Sequence, residues 1–139
     1  MVSCRRYKYD LVTIHNRYVN NSGHDIKFIP YIKQNSIWYA TDKFNLNIRN
    51  ERTEYIYIRE AGKTISSVKD VLIDGIVDSV TIDYGHGVQA TFKPLVEEPV
   101  KRNIYNEKYY VKRIIQDNEI EYEVVLTFTF TEQDYLDAQ

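Results

Sequence analysis

The sequence predicts an all-β fold: an antiparallel β-sandwich or barrel-like domain with a long C-terminal hairpin and little helix. The first observation is composition, because 13 of the 139 residues are Tyr beside 5 Phe and 1 Trp. Tyrosine suits a half-buried pleated surface, where its ring packs while its hydroxyl stays hydrated. The second observation is apolar–polar alternation in several segments, and the third is the Asn, Asp and Gly turns between them. Together they favour short strands joined by turns over alternating strands and helices.

Length, cysteine count and charge narrow the class of protein. A chain of 139 residues fits one domain, so we expect residues 1–139 to form a single β-rich unit. The single cysteine, Cys4, excludes an internal disulfide framework. No apolar run approaches the ~20 residues of a membrane span, and we expect neither a signal peptide nor membrane association. The net charge of -2 argues against a dedicated duplex-binding protein.

The N-terminal half contains two strands around a polar turn. Residues 9–18 and 25–32 are predicted strands on either side of residues 20–23, Asn-Asn-Ser-Gly, which suit a hairpin loop. Pro30 has no amide donor, which predicts a sheet edge or a bulge for the second strand. The remaining strands predicted in this half cover residues 37–39, 44–49 and 55–59.

The middle of the chain adds two more hairpin signals and one short helix. Asp74-Gly75 divides residues 71–77 and suits a type I′ turn, which needs two residues at positive φ. Residues 80–84 and 88–92 are predicted to pair through the turn Gly85-His86-Gly87. A short helix is predicted over residues 66–70.

The C-terminal part carries the clearest strand. Every even position from Ile120 to Phe130 is apolar, and a helix cannot collect these residues on one face. Residues 104–115 are rich in β-formers and precede the turn 116–118, so a long antiparallel hairpin is predicted. Because typical strands are shorter, residues 100–131 are a candidate protruding hairpin. A short helix over residues 132–138 ends the chain.

No pattern in the sequence predicts catalysis. His15, His24 and His86 have no metal-ligand spacing, and the lone Gly85-His86-Gly87 is a turn signal rather than a phosphate loop. Glu121 and Glu123 share the polar face of a strand, where solvation or an interface role is favoured over acid–base chemistry. We therefore predict no enzymatic activity, no cofactor, no metal and no small-molecule substrate.

Charge is distributed unevenly and suggests an assembly surface. Residues 1–63 carry 11 Lys and Arg against 6 acidic residues, whereas residues 64–139 carry 7 against 14. This asymmetry suits either ordinary solvated sheet faces or a bipolar subunit whose basic side meets a neighbour's acidic side. Val125 lies among polar residues on the hydrated face of its strand, as at an interface rim. The candidate interface residues are Glu121, Glu123, Val125, Lys112, Arg113, Arg49 and Arg59.

Two segments leave a nucleic-acid alternative open. Arg5, Arg6 and Lys8 interleave with Tyr7 and Tyr9, as in single-strand binding platforms. The segment that contains Tyr109, Tyr110, Lys112 and Arg113 has the same character. Ordinary β-surface packing with Lys and Arg at sheet edges also explains both and is the favoured interpretation. The alternative function is therefore a β-rich nucleic-acid-binding or protein-binding adaptor.

One segment resembles a known family. The strand from Asp10 to Tyr18, Asp-Leu-Val-Thr-Ile-His-Asn-Arg-Tyr, is similar to the start of small minor capsid or head–tail connector (neck) proteins of phages and prophages of Gram-positive bacteria. Ser36 to Tyr39, the alternating strand 44–49 and the segment 70–77 follow in a similar order, so the resemblance covers residues 10–78.

That resemblance implies a non-enzymatic structural virion component. Proteins of this family form β-rich rings between portal and tail and bind no cofactor. By resemblance, this chain is expected to be a ring-forming connector, neck or tail-completion subunit. It would assemble in the host cytoplasm, reside in the virion, contact other virion proteins and lie close to packaged DNA.

Overall fold

The computed structural model describes residues 9–60, 72–73, 75–96 and 101–139. Strands dominate these ranges, and the predicted all-β class is confirmed. The predicted C-terminal helix is also present, as α1 (Glu132–Ala138). The strands are β1 (Leu11–Asn21), β2 (Ile26–Gln34), β3 (Ile37–Ala40), β4 (Phe44–Leu46), β5 (Glu51–Glu60), β6 (Ser79–Asp83), β7 (Gln89–Phe92), β8 (Val111–Asp117) and β9 (Glu121–Thr131).

The strands form two sheets. Sheet I has the order β5-β1-β9-β8, and sheet II has the order β3-β2-β6-β7 with β4 also paired to β2. Pairing is antiparallel as predicted, with one exception at the centre of sheet I. There β1 runs parallel to β9 along its whole length, from Leu11 opposite Glu121 to Asn21 opposite Thr131. Sheet I is therefore mixed.

The core lies between the two sheets and is rich in aromatic rings. Alternate residues of β1 and β9 are buried, as a period of two requires when one face of a strand packs inward. Tyr18 on β1 lies at the centre, with its ring centroid 5.0 Å from that of Phe28 on β2 and 6.4 Å from that of Phe130 on β9. Its hydroxyl donates to the carbonyl of Leu72, at 3.3 Å. The Tyr18–Phe28 contact joins the two sheets.

Residues 20–23 do not close a hairpin, and the prediction for this loop is wrong. β1 belongs to sheet I and β2 to sheet II, so the loop carries the chain from one layer to the other. The fully buried Asn20 secures this crossing, because its amide nitrogen donates to the carbonyls of His24 (2.7 Å) and Leu46 (2.8 Å). Its side-chain oxygen accepts bonds from the amide and hydroxyl of Ser22. The residue types at 20–23 indicate a change of chain direction, but they do not specify which sheet the next strand joins.

Pro30 lies within sheet II at an interruption of the ladder. On one side β2 pairs with β4 up to Phe28 and with β3 from Tyr31 onward, so Pro30 falls between the two short strands. Its carbonyl accepts a bond from the amide of Thr41, on that same side. The missing N–H therefore points to the junction between β3 and β4, where no ladder bond is lost.

The C-terminal hairpin is shorter than predicted. Ile104 and Tyr105 are buried outside any strand, a 3₁₀ turn covers Glu107–Tyr109, and β8 begins only at Val111. β9 lies between β1 and β8, so it belongs to the core sheet rather than to a free arm.

In the middle of the chain, the turn Gly85-His86-Gly87 and its two flanking strands are as predicted. The helix predicted over residues 66–70 lies outside the described residues. So does Asp74 of the predicted hairpin 71–77, whose described residues include no strand.

Candidate assembly interface

The outer face of sheet I, which points away from the core, carries most of the predicted interface residues. The odd-numbered residues of β1 and β9 are half-buried and lie on this face, among them Glu121, Glu123 and Val125. These are the positions that alternation assigns to the side of β9 opposite Val124 and Leu126, which are buried. The outer face is not covered by sheet II, since sheet II packs on the opposite side.

A concave groove of about 770 Å³ runs across this face. β1 supplies His15 and Arg17 to its lining, and β5 supplies Glu51 and Thr53. β8 and β9 add Val111, Arg113, Ile115, Glu123 and Val125. Its volume lies within the range of about 300–1,000 Å³ typical of ligand pockets, so several side chains of a partner fit inside it.

The polar residues of the groove are mostly paired with one another. His15 Nε2 lies 2.6 Å from Glu123 Oε2, and both side chains are about one quarter exposed. Arg17 bonds to the carboxylate of Glu51. Arg113 on β8 lies opposite Val125 on β9, and its guanidinium adds a further positive charge to the lining of the groove. The groove therefore combines apolar walls with oriented charges.

Exposed aliphatic side chains extend the groove across the face. Val111 is 72% exposed on β8, and Ile56 and Ile58 are 55% and 61% exposed on β5. The two isoleucines reach this face because β5 has a bulge at Glu54: Asn16 pairs with Tyr55, whereas Arg17 pairs with Thr53. The extra residue changes the alternation, so the outer face holds Glu51 and Thr53 before the bulge and Ile56 and Ile58 after it. An apolar patch of this kind on an uncovered face is typical of an interaction surface.

Two of the other predicted interface residues lie elsewhere on the surface. Lys112 is exposed opposite Leu126, on the core-facing side of the edge strand β8. Arg49 is exposed in the turn before β5, where its φ of 65° is left-handed and its amide donates to Asn20.

Arg59 requires a correction. It lies opposite Val12 on the core-facing side of β5 and is only 2% exposed. Its charge suggested a surface position, but the bulge at Glu54 sets which residues of β5 face inward. Arg59 therefore offers no surface to a partner.

Two of the tyrosines named for the nucleic-acid alternative are buried in the core. Tyr9 is buried and stacks on Tyr122 with ring centroids 5.3 Å apart. Tyr110 is buried, and its hydroxyl donates to the carbonyl of Ile104. Neither ring can stack on a base from solution. Residues 5–8 lie outside the described residues.

Sequence reasoning did not identify the most prominent aromatic surface, which lies on sheet II. Ile37, Trp38 and Tyr39 of β3 are 54%, 40% and 47% exposed. The ammonium groups of Lys33 and Lys93 lie 5.4 Å and 5.3 Å from the centroid of the Trp38 ring. The alternation of β3 indicates a strand, but only the tertiary fold shows that both of its faces are uncovered.

Several tyrosines of the core have shifted pKa values. Burial raises the pKa of the hydroxyls of Tyr18, Tyr105 and Tyr110 above its ordinary value, because desolvation penalises the phenolate. For Tyr84, burial is again the main cause, and the nearby Asp134 raises the pKa further. The hydroxyls of Tyr18, Tyr105 and Tyr110 donate hydrogen bonds to backbone carbonyls in the core.

The part of the chain that the structure describes contains neither a metal-binding cluster nor a helix that could span a membrane. Within the described ranges, no group of three or more His, Cys, Asp or Glu residues could hold a metal ion. None of the helices described is both long enough and apolar enough to cross a bilayer. The chain matches no known family, no curated protein and no solved structure.

Proposed function

We propose that this protein is a non-enzymatic structural subunit of a bacteriophage virion that assembles into a ring as a head–tail connector, neck or tail-completion protein. The resemblance of residues 10–78 to minor capsid and neck proteins supports the virion role. The outer face of sheet I supports assembly, because it is a shaped, partly apolar surface that the monomer leaves uncovered.

The observation that carries the proposal is the mixture of residues on that face. A protein interface typically has an apolar centre, a polar rim and charges that fix the register of the partner. The groove has Val111, Ile115 and Val125 as apolar walls, and the paired His15–Glu123 and Arg17–Glu51 as polar groups. A solvated face needs no such concave apolar lining.

Self-assembly is tested by native mass spectrometry and sedimentation velocity on the purified chain, with electron microscopy of the products. We expect a discrete homo-oligomer and closed rings. Val125→Lys places a charge at the centre of the groove and should shift the protein to monomer. Gln89→Lys makes a comparable change at an exposed site on sheet II and serves as the control. A wild-type chain that stays monomeric at its highest soluble concentration would contradict the proposal.

A further inference from the structure

The tip of the β2–β3 hairpin projects beyond the body of sheet II. β2 pairs with β6 only up to Tyr31, opposite Ser79, whereas its pairing with β3 continues to Gln34, opposite Ile37. Residues 32–34 continue the hairpin beyond Ser79, and the amide of Lys33 donates to the carboxylate of Asp78 at 2.8 Å. Asn35 and Ser36 close it at φ values of 51° and 66°. Two consecutive positive φ angles suit a type I′ turn, whose twist matches that of the strands.

The surface of this tip is apolar on both sides and basic. Ile37 and Tyr39 lie on one side and Trp38 on the other, and all three are at least 40% exposed. Lys33 is paired directly opposite Trp38. Lys93, which directly follows β7, has its ammonium group over the same ring. Three consecutive exposed large apolar residues are unusual on a soluble surface unless they serve a contact. We call residues 33–39 the hairpin tip.

The hairpin tip cannot fill the groove of its own molecule. The groove opens on the outer face of sheet I, whereas the tip belongs to sheet II, on the other side of the core. A contact between the two surfaces must therefore join two copies. It would use different surfaces on each copy, which makes it heterologous.

We propose that the hairpin tip of one copy occupies the groove on sheet I of the next copy, with Trp38 as the central contact residue. This inference rests on the proposed function and names the surfaces through which the subunits meet. Repetition of one heterologous contact gives a ring when the rotation closes. A row of subunits that has not closed into a ring has a free hairpin tip at one end and a free groove at the other.

The chemistry of the two surfaces is complementary. The walls formed by Val111, Ile115 and Val125 offer aliphatic contact to the Trp38 ring, and Arg113 offers a guanidinium plane on which an indole stacks. Aromatic residues at the centre of a desolvated contact contribute most to binding.

The charges of the two surfaces also favour a contact between the hairpin tip and the outer face of sheet I. Beside Trp38 lie two ammonium groups, that of Lys33 in the tip and that of Lys93 next to it, against one carboxylate, that of Asp78, which accepts from the amide of Lys33. The outer face of sheet I presents more carboxylates than guanidiniums: Glu51, Glu60, Glu121 and Glu123 against Arg17 and Arg113. A basic tip is therefore attracted to this face, and two tips or two outer faces repel each other.

The fluorescence of Trp38 reports the contact directly, because Trp38 is the single tryptophan of the chain. Dilution of the assembled protein should shift the emission to longer wavelength and raise quenching by acrylamide, in parallel with the loss of oligomer measured by mass photometry. Dissociation of the oligomer without any change in Trp38 emission would show that the tip is not in the contact.

Variants test the direction of the contact. Trp38→Ala should weaken self-association at least 30-fold, as expected for a central contact residue worth ~2 kcal/mol or more. Lys33→Glu should also weaken it, because a negative charge replaces the ammonium group beside Trp38. Leu136→Ala, at an exposed apolar residue of α1, is the matched control and should have no effect.

A mixture of two defective variants gives the decisive result. Trp38→Ala keeps its groove and Val125→Lys keeps its tip, so together they should form a 1:1 heterodimer and nothing larger. No heterodimer from the mixture, or full assembly by Trp38→Ala alone, would overturn the inference. The proposed function would survive that result if the wild type still forms rings, and it would fail if the wild type is monomeric.

Single-stranded nucleic acid is the competing occupant of the tip. A fluorescence titration of the monomeric Val125→Lys variant with oligothymidylate tests it. Tight, strongly salt-dependent quenching of Trp38 would overturn the copy-to-copy contact, since phosphate binding releases counterions. We expect no quenching at physiological salt.

Discussion

Asn20 shows how much one buried side chain can hold together. Its amide joins β1, the loop to sheet II and the end of β4 through hydrogen bonds to His24, Leu46 and Ser22. Each partner lies in a buried or partly buried position, so removal of the amide leaves several polar groups without a bond and without water.

We predict that Asn20→Ala lowers the free energy of unfolding by about 3 kcal/mol, because each unsatisfied buried group costs about 1–3 kcal/mol. Urea denaturation measures this change. The neighbouring Asn21 is exposed, so Asn21→Ala is the control and should cost less than about 0.5 kcal/mol. Equal effects at the two sites would contradict the role assigned to Asn20.

The buried tyrosines predict a loss of stability at high pH. Burial raises the folded-state pKa of Tyr18, Tyr84, Tyr105 and Tyr110 above the ordinary value of 10.0. Below pH 10 both the folded and unfolded chains keep these protons, so the free energy of unfolding does not depend on them. Above pH 10 the unfolded chain releases them first, and stability falls as pH rises.

We therefore predict that these four hydroxyls ionise only as the protein unfolds. Tyrosinate absorbance should show a late, steep phase that coincides with the loss of the far-ultraviolet β signal. The urea-unfolded chain, in which every tyrosine is in contact with solvent, provides the reference. Ionisation of all tyrosines near pH 10 with an intact β signal would be inconsistent with the buried cluster.

The sequence predicts a residue's face only where the strand is regular. Glu121, Glu123 and Val125 lie on the expected side because β9 keeps its period of two from end to end. Arg59 does not, because the bulge at Glu54 inserts one residue into β5 and no local pattern announces it. The exposure of Trp38 depends on how far β2 extends past β6, which is a property of two strands far apart in the sequence.

At the scale of elements, a charged contact between Arg102 and Asp134 helps to hold α1 against the sheet. Asp134 accepts a bond from Arg102 Nε at 2.8 Å and one from the amide of Thr131 at 2.8 Å, which also caps the helix. This contact with Asp134 is the main cause that raises the pKa of the Arg102 guanidinium. The Arg102 guanidinium also lies 4.6 Å from the ring centroid of Phe128, so Arg102 joins α1 to β9.

We predict that Asp134→Ala destabilises the protein by about 2 kcal/mol, since it removes a helix cap and the partner of a half-buried cation. Hydrogen exchange should become faster throughout residues 132–138, while exchange in β1 changes little. Glu132→Ala is the control, because Glu132 is exposed and lies two residues before Asp134 in the same first turn of α1. Unchanged exchange in α1 would show that the helix is held by other contacts.

Strand pairing was harder to predict than the strands themselves. Alternation and turn residues locate β6, β7, β9 and most of the others, because these signals are local. The β1–β9 pair joins Leu11 to Glu121, 110 positions apart, and no turn between them indicates a parallel neighbour. Because turn residues are also a local signal, residues 20–23 predict a hairpin between two strands that in fact belong to different sheets.

At the scale of the whole molecule, the acidic outer face is expected to control assembly. Glu121 and Glu123 lie on this face, and Glu123 also bonds to His15. In the contact that we propose, reversal of both to Lys would replace the attraction for the basic hairpin tip of a neighbour with repulsion.

We predict that Glu121→Lys with Glu123→Lys weakens self-association by at least tenfold while the monomer stays folded, as judged by sedimentation velocity and circular dichroism. The double variant Glu119→Lys with Glu132→Lys changes the net charge equally at exposed positions away from the groove. It should assemble nearly as well as the wild type. Similar losses in both variants would indicate a general effect of net charge rather than of this face.

The parallel pairing of β1 with β9 also has a consequence for biosynthesis. Until β9 has emerged from the ribosome, β1 has a neighbour on one side at most, and its other edge stays open. Contacts that span most of the chain make folding slow, because a long loop must close before they form. The groove needs β9 for its floor, so a nascent or truncated chain without it has no groove. In the assembly that we propose, such a chain could place its own hairpin tip on a neighbour but could not receive one. It would therefore end a growing row of subunits rather than extend it.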